Sequence, residues 1–126
     1  MRAVDTNVLV RLVMHDDEEQ FAGAIAFVQR GVWASHVVLA EVAWVLRETY
    51  GLDHSATAVA IEMLLQQEQL FVQDPDVVAA ALESYRGKPA LGLADCLILE
   101  IARKAGHLPL GTFDRNLSKL EGTQRL

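Results

Sequence analysis

The chain is poor in cysteine and has no long apolar run. Cys96 is the only cysteine among 126 residues, which excludes an internal disulfide and argues against a thiolate zinc site. No apolar run approaches the roughly 18 residues of a membrane span, and the first residues are too polar for a signal peptide. No repeat or Pro/Gly-rich linker interrupts residues 1–126. We therefore expect a single cytoplasmic domain without membrane attachment.

Positive charge is also scarce, because 11 Lys and Arg stand against 17 Asp and Glu and give a formal net charge of −6. This net negative charge opposes non-specific attraction to nucleic acids. Bound divalent cations would cancel part of the negative charge locally. Apolar residues make up 52% of the chain and charged residues 22%. This composition provides a substantial core and excludes a disordered chain.

Short strand-like runs alternate with helical patterns along the chain. Strands are predicted at 2–5, 32–34, 70–72 and 108–112. Helices are predicted at 8–14, 93–105 and 116–120, from Asp16 to Gly31 and from Ser35 to Gly51. Two more are predicted, one from Asp53 or Ser55 and one after Asp74. The alternation predicts an α/β fold, a three-layer α/β/α sandwich with a central, largely parallel β-sheet. Functional groups in such folds gather beyond the carboxyl ends of the strands.

Two acidic residues follow predicted strands directly. Asp5 ends the first strand, and Asp114 lies just past the last one. Taken singly, Asp5 could form an Asx-turn and Asp114 could cap a helix. Two acids at equivalent strand ends indicate a site more strongly than either acid alone.

Glu41 and Asp95 lie within predicted helices. Glu41 is the only charged residue in the run 37–46, so we expect a buried carboxylate that needs a metal, a proton or a partner arginine. Asp95 lies in the first turn of its helix, about 130° from the charged face, and helix capping is its structural alternative. Four converging carboxylates would need a metal or a proton to relieve their repulsion. Ligation by oxygen alone suits Mg²⁺ or Mn²⁺.

Four blocks of the sequence resemble the motifs of PIN-domain nucleases, and within them the VapC-type toxins of toxin–antitoxin pairs. They are Asp5-Thr6-Asn7-Val8-Leu9-Val10-Arg11, Leu39-Ala40-Glu41-Val42, Leu93-Ala94-Asp95-Cys96-Leu97-Ile98 and Thr112-Phe113-Asp114-Arg115-Asn116-Leu117. A lone Asp-Thr-Asn is a weak motif, but the ordered set is specific. The resemblance implies a PIN-like fold and a Mg²⁺- or Mn²⁺-dependent endoribonuclease that cleaves RNA with metal-activated water.

The resemblance also implies roles for particular residues. Metal binding and catalysis would belong to four acids, Asp5, Glu41, Asp95 and Asp114. Supporting roles would belong to three polar neighbours, Thr6, Asn7 and Thr112. The implied partners are an RNA substrate, a cognate antitoxin protein that blocks the metal site, and a second copy of the chain in a homodimer.

The remaining predictions concern the residues around these blocks. An acidic protein that cuts RNA needs local positive charge, and the candidates for RNA binding are Arg115, Lys88 and Arg11. Trp44 is predicted to pack in the core, although an interface role stays open. The four histidines show no metal-binding spacing, and we expect them to be exposed or hydrogen-bonded.

Two other functions stay open. A haloacid-dehalogenase-like phosphatase also begins with a strand-end aspartate, but its chemistry usually has a second aspartate two residues later, where this chain has Asn7. The second alternative is a PIN-like fold that binds RNA or a protein without cutting. The presence of all four acids argues against it.

Overall fold

The computed structural model describes residues 1–126, in which short strands alternate with longer helices. The strands are β1 (Arg2–Ala3), β2 (Val32–Ala34), β3 (Leu70–Val72), β4 (Leu110–Thr112) and β5 (Thr123–Arg125). The α-helices are α1 (Thr6–Met14), α2 (Glu18–Val28), α3 (His36–Glu48), α4 (His54–Leu65), α5 (Pro75–Gly87) and α6 (Leu93–Ala105), and a short 3-10 helix spans Leu117–Lys119. None of these helices has the length and apolar character that crossing a bilayer requires.

All strand pairs in the structure are parallel. The first sheet has the order β1-β2-β3, and β4 pairs with β5 in a second sheet. The predicted α/β class and parallel pairing are confirmed. No strand is predicted after residue 120, whereas Thr123–Arg125 form β5. Because β4 pairs with this tail and not with β1, Asp5 and Asp114 follow strands of different sheets.

Capping residues explain where most helices begin. Asp5 accepts a hydrogen bond from the Val8 amide, so α1 begins at Thr6, two residues earlier than predicted. Ser35 and Asp53 cap α3 and α4 as predicted. The second helix begins after Asp17 instead of Asp16, because Asp17 accepts a hydrogen bond of 2.9 Å from the Gln20 amide.

The start of α5 and the end of α6 can also be compared with the prediction. The prediction that Asp74 caps α5 is wrong, because its backbone lies at φ 40° and its side chain makes no capping bond. The Asp74 carboxylate instead lies 3.3 Å from the Lys104 ammonium group on α6. Gly106 ends α6 at φ 82°, a left-handed conformation that glycine adopts without steric cost.

The core brings the helices that carry the acidic residues into contact. A cluster of 25 buried residues extends from Val4 to Leu117. Within it α3 packs against both α1 and α6. The helix that follows Asp5, the helix that contains Glu41 and the helix that contains Asp95 therefore form one packed unit.

We predict that shortening a buried side chain of α3 destabilises the protein far more than shortening an exposed one. Leu46 is fully buried, so Leu46→Ala should lower the free energy of unfolding by about 2–5 kcal/mol through lost burial and a residual cavity. Val37 is 75% exposed, and Val37→Ala should change it by no more than about 0.5 kcal/mol. Urea unfolding of both variants measures the difference, and equal effects would contradict the core assignment.

Candidate metal centre

Thr6, the residue after Asp5, links Asp5 to Glu41. Asp5 lies directly after β1, where its Oδ1 accepts the Val8 N–H at 3.5 Å. Thr6 is buried at 7% exposure, and its hydroxyl donates a hydrogen bond to Glu41 Oε1. Since Thr6 follows Asp5 in the chain, this bond holds the Glu41 carboxylate beside the first turn of α1.

The expected burial of Glu41 is wrong. Glu41 is exposed, as are Val37 and Trp44 on the same side of α3. An apolar run around a carboxylate therefore did not indicate burial here, because part of that run faces solvent. The alternative of a partner arginine is not realised, since Glu41 forms no ion pair and its partner is the Thr6 hydroxyl.

Asp95 is half-buried in the first turn of α6. Its Oδ2 accepts the Gly92 N–H at 3.0 Å, so the capping role that the sequence left open is present. Of the two apolar residues that follow Asp95 by one turn, Leu99 is buried, while Ile98 is 51% exposed. Capping occupies one carboxylate oxygen and leaves the other available.

Asp114 is held by the turn that leads into the 3-10 helix. Its Oδ1 accepts two amide hydrogen bonds of 2.8 Å, from Asn116 and Leu117. Thr112 Oγ1 accepts the Asp114 N–H at 3.0 Å, which gives Thr112 the position that a supporting role requires. Asp114 itself is exposed at the surface.

The four acids share one pattern of contacts. Each makes hydrogen bonds through a single carboxylate oxygen, to backbone amides or to a hydroxyl group. None of them forms an ion pair with Lys, Arg or His. Each carboxylate is thus oriented by one oxygen and keeps the second oxygen without a protein partner. Oriented anionic oxygens with no competing cation are the donors that Mg²⁺ and Mn²⁺ prefer.

The donor chemistry fits a hard divalent cation, but the side chains do not form a closed cage. No group of three or more His, Cys, Asp or Glu residues stands close enough to hold one ion. The structure links Asp5 with Glu41 through Thr6. It does not bring Asp95 and Asp114 to metal-binding distance of that pair.

A cavity of about 470 Å³ opens beside Asp5, between α1 and α2. Its lining includes Asp5, Asn7, Arg11 and Gln20. A larger cavity of about 560 Å³ lies between α2 and α4, but it is mainly apolar and none of the four acids lines it. Of these two cavities, only the one beside Asp5 has a candidate metal ligand in its lining.

A polar network fixes one side of the Asp5 cavity. Arg11 donates hydrogen bonds to Asp16 at 3.0 Å, to Tyr50 at 2.9 Å and to Gln20. Tyr50 in turn donates to Asp16 at 3.0 Å. The network ties the end of α1 and the start of α2 to the residues after α3. It also engages the Arg11 guanidinium, which the sequence assigned to RNA binding.

The other two RNA-binding candidates lie outside any ion pair. Arg115 is exposed beside Asp114, and Lys88 is half-buried in the segment before α6. Neither side chain pairs with a carboxylate. Neither side chain is therefore engaged by a protein carboxylate, and both stay candidates for contact with a phosphate.

Cys96 and His36 are two buried polar residues near the site. Cys96 packs in the core as predicted, and burial together with the charges of Asp95 and Glu100 raises the pKa of its thiol to about 11. His36 departs from the prediction, because it is 6% exposed and its Nε2 has no hydrogen-bond partner. Neither residue belongs to a metal-binding group.

Comparison with known proteins identifies a family. The family model of the PIN domain matches residues 2–122. Among solved structures, that of VapC20 from Mycobacterium tuberculosis, described as a sarcin-ricin loop cleaving toxin, is similar to this chain. It shows 20% identity and a TM-score of 0.44, with 98% of this chain and 97% of that chain covered. A comparison with curated proteins finds no match.

We predict that Asp16 contributes stability that acid removes. The hydrogen bond from Tyr50 lowers the pKa of Asp16, and the nearby Arg11 charge adds to this effect against partial desolvation. A depressed pKa in the folded state gives stability above the unfolded pKa of about 3.9 and loses it as the pH falls through the folded value. The unfolding free energies of wild type and Asp16→Asn should therefore differ near neutral pH, and the difference should shrink progressively as the pH falls below the unfolded pKa of about 3.9.

Urea unfolding over this pH range measures the convergence. Glu68→Gln is the matched control, because Glu68 is exposed and makes no ion pair. Its effect should stay small at every pH. A difference between wild type and Asp16→Asn that persists unchanged in acid would show that the carboxylate charge is not what stabilises the network.

Proposed function

The chain belongs to the PIN-domain family, a family of nucleases, and we propose that it is a Mg²⁺- or Mn²⁺-dependent endoribonuclease. The observation that carries the proposal is the shared state of the four acids. All are oriented through one oxygen, and none is neutralised by a protein cation. The family membership also removes the phosphatase alternative, which Asn7 already disfavoured.

The proposed ligands are Asp5, Glu41, Asp95 and Asp114. A divalent ion held by these carboxylates would supply an activated water and would neutralise charge on the attacked phosphate. The protein contributes orientation, because the Thr6 hydroxyl and the helix-start amides fix one oxygen of each acid. Thr6 and Thr112 are proposed as supporting residues because they hydrogen-bond to Glu41 and Asp114. Asn7 is proposed because it lines the cavity beside Asp5.

Substrate binding requires cations, because the acids repel phosphate when no metal is bound. We propose that Arg115 and Lys88 contact the RNA backbone near the acids. The Arg11 guanidinium is engaged with Asp16, so Arg115 and Lys88 are the first residues to test. An exposed cation next to the site raises the local concentration of an anionic substrate without altering the chemical step.

The biological role that we propose is that of a toxin in a toxin–antitoxin pair. The support is the four sequence blocks, which resemble VapC-type toxins across the chain. The proposed partners are a cognate antitoxin and a second copy of the chain. The competing proposal is a PIN domain that binds RNA without cutting, and the same experiment separates the two.

We predict that purified protein cleaves RNA with Mg²⁺ or Mn²⁺ and that EDTA stops the cleavage. Asp5→Asn should lower the cleavage rate by at least about 100-fold, since a direct ligand should cost no less than an outer supporting residue. Asp17→Asn is the matched control. Asp17 caps α2 through the amide three residues later, as Asp5 caps α1, but it lies outside the site.

Cleavage of labelled RNA measures both variants, and circular dichroism checks that both fold. Induced expression should slow growth for wild type and for Asp17→Asn and should not do so for Asp5→Asn. Binding of RNA without cleavage in either metal would favour the non-enzymatic alternative. Equal activities of Asp5→Asn and Asp17→Asn would remove Asp5 from the site.

A further inference from the structure

An exposed tryptophan lies one helical turn from a candidate metal ligand. The predicted core packing of Trp44 is wrong, because the residue is 62% exposed. Trp44 follows Glu41 by three positions on α3, so the two side chains lie on neighbouring parts of one helix face. An aromatic ring thus faces solvent directly beside the carboxylate that Thr6 orients.

Trp44 forms part of the wall of a cavity between α3 and the segment before α6. The cavity has a volume of about 240 Å³. Its opposite wall is the segment 89–94, and the buried Tyr85 also lines it. This volume is below the roughly 300–1,000 Å³ of pockets for drug-sized ligands, so the cavity suits one small planar group.

Two residues in the lining of this cavity are chain neighbours of candidate metal ligands. Ala40 and Ala94 both line it, and each directly precedes a candidate ligand in the chain, Glu41 and Asp95 respectively. None of the four acids lines the cavity itself, but α3 and the start of α6 carry both the cavity wall and these two candidate ligands.

The lining favours a neutral, flat occupant. Most of the residues around the cavity are apolar, and its two charged residues, Arg47 and Glu48, carry opposite charges. A phosphate gains no net attraction from this pair, whereas a nucleobase stacks on an indole ring whatever its sequence. A docked helix of another protein would need a longer groove than this cavity offers.

We propose that Trp44 and this cavity bind one nucleobase of a single-stranded RNA, next to the phosphate that the acids attack. This proposal rests on the proposed nuclease function and assigns its substrate a contact. Stacking of an unpaired base on an aromatic side chain is the common way for proteins to hold single-stranded RNA. The expected preference is for RNA that presents an unpaired base beside the cleaved bond.

Tryptophan fluorescence tests the contact directly. The chain has two tryptophans, Trp33 and Trp44, so the Trp33→Phe protein reports on Trp44 alone. It is titrated in EDTA with a short oligoadenylate and with an abasic oligomer of the same length and charge. The oligoadenylate should quench Trp44 strongly, and the abasic oligomer should quench it much less. Equal quenching by both oligomers would overturn the proposal.

Anisotropy of labelled oligoadenylate then compares the variants. Trp44→Leu, which keeps apolar bulk without an aromatic ring, should bind RNA about 10-fold more weakly or worse. Trp44→Phe should restore most of the affinity. Ala90→Leu, which fills the cavity from its far wall, should weaken binding while Trp44 stays intact. Wild-type affinity in Trp44→Leu and Ala90→Leu would overturn the proposal.

Sedimentation and cleavage assays separate this proposal from its alternatives. If Trp44→Leu changes the oligomeric state and leaves RNA affinity unchanged, the surface is a protein interface and the proposal is wrong. Base-dependent quenching without any metal-dependent cleavage would support the base site and contradict the nuclease proposal. Cleavage without base-dependent quenching would support the nuclease proposal and contradict the base site.

Discussion

The hydrogen bond from Thr6 to Glu41 is the contact on which the candidate site depends. Thr6 is buried at 7% exposure, and a buried hydroxyl without a partner is costly, so it needs the Glu41 oxygen. The same bond fixes α3 against the start of α1, directly after Asp5. One hydrogen bond therefore satisfies the buried Thr6 hydroxyl and joins α1 to α3. Because α1 and α3 pack together when the chain folds, folding itself orients Glu41.

The other acids are oriented by the starts of helical segments. Asp5 and Asp95 accept amide hydrogen bonds at the first turns of α1 and α6, and Asp114 does so at the turn before the 3-10 helix. Amides at such positions stabilise a carboxylate without a neutralising cation. Helix capping and metal binding are compatible in these residues, because capping uses one oxygen and leaves the other.

Local signals were readable in the sequence, and distant contacts were not. Ser35 and Gly106 act on their own helix ends, and their roles follow from neighbouring residues. Asp17 caps α2 in place of Asp16, because the Asp16 carboxylate accepts a hydrogen bond from Tyr50, 34 positions away. The burial predicted for Glu41 failed for a similar reason. Its apolar neighbour Trp44 faces solvent, which residue type and spacing did not reveal.

We propose that the four acids bind one metal ion, for which their side chains must come closer together than they stand in the structure. Mn²⁺ binding measured by electron paramagnetic resonance tests this proposal most directly. Wild type would be compared with Asp5→Asn, Asp95→Asn and the double variant, in which asparagine can still cap. Each single variant should weaken Mn²⁺ binding by about 10-fold or more. The double variant should lose less than the two effects summed, because both residues hold the same ion. Unchanged Mn²⁺ affinity in both single variants would contradict the account.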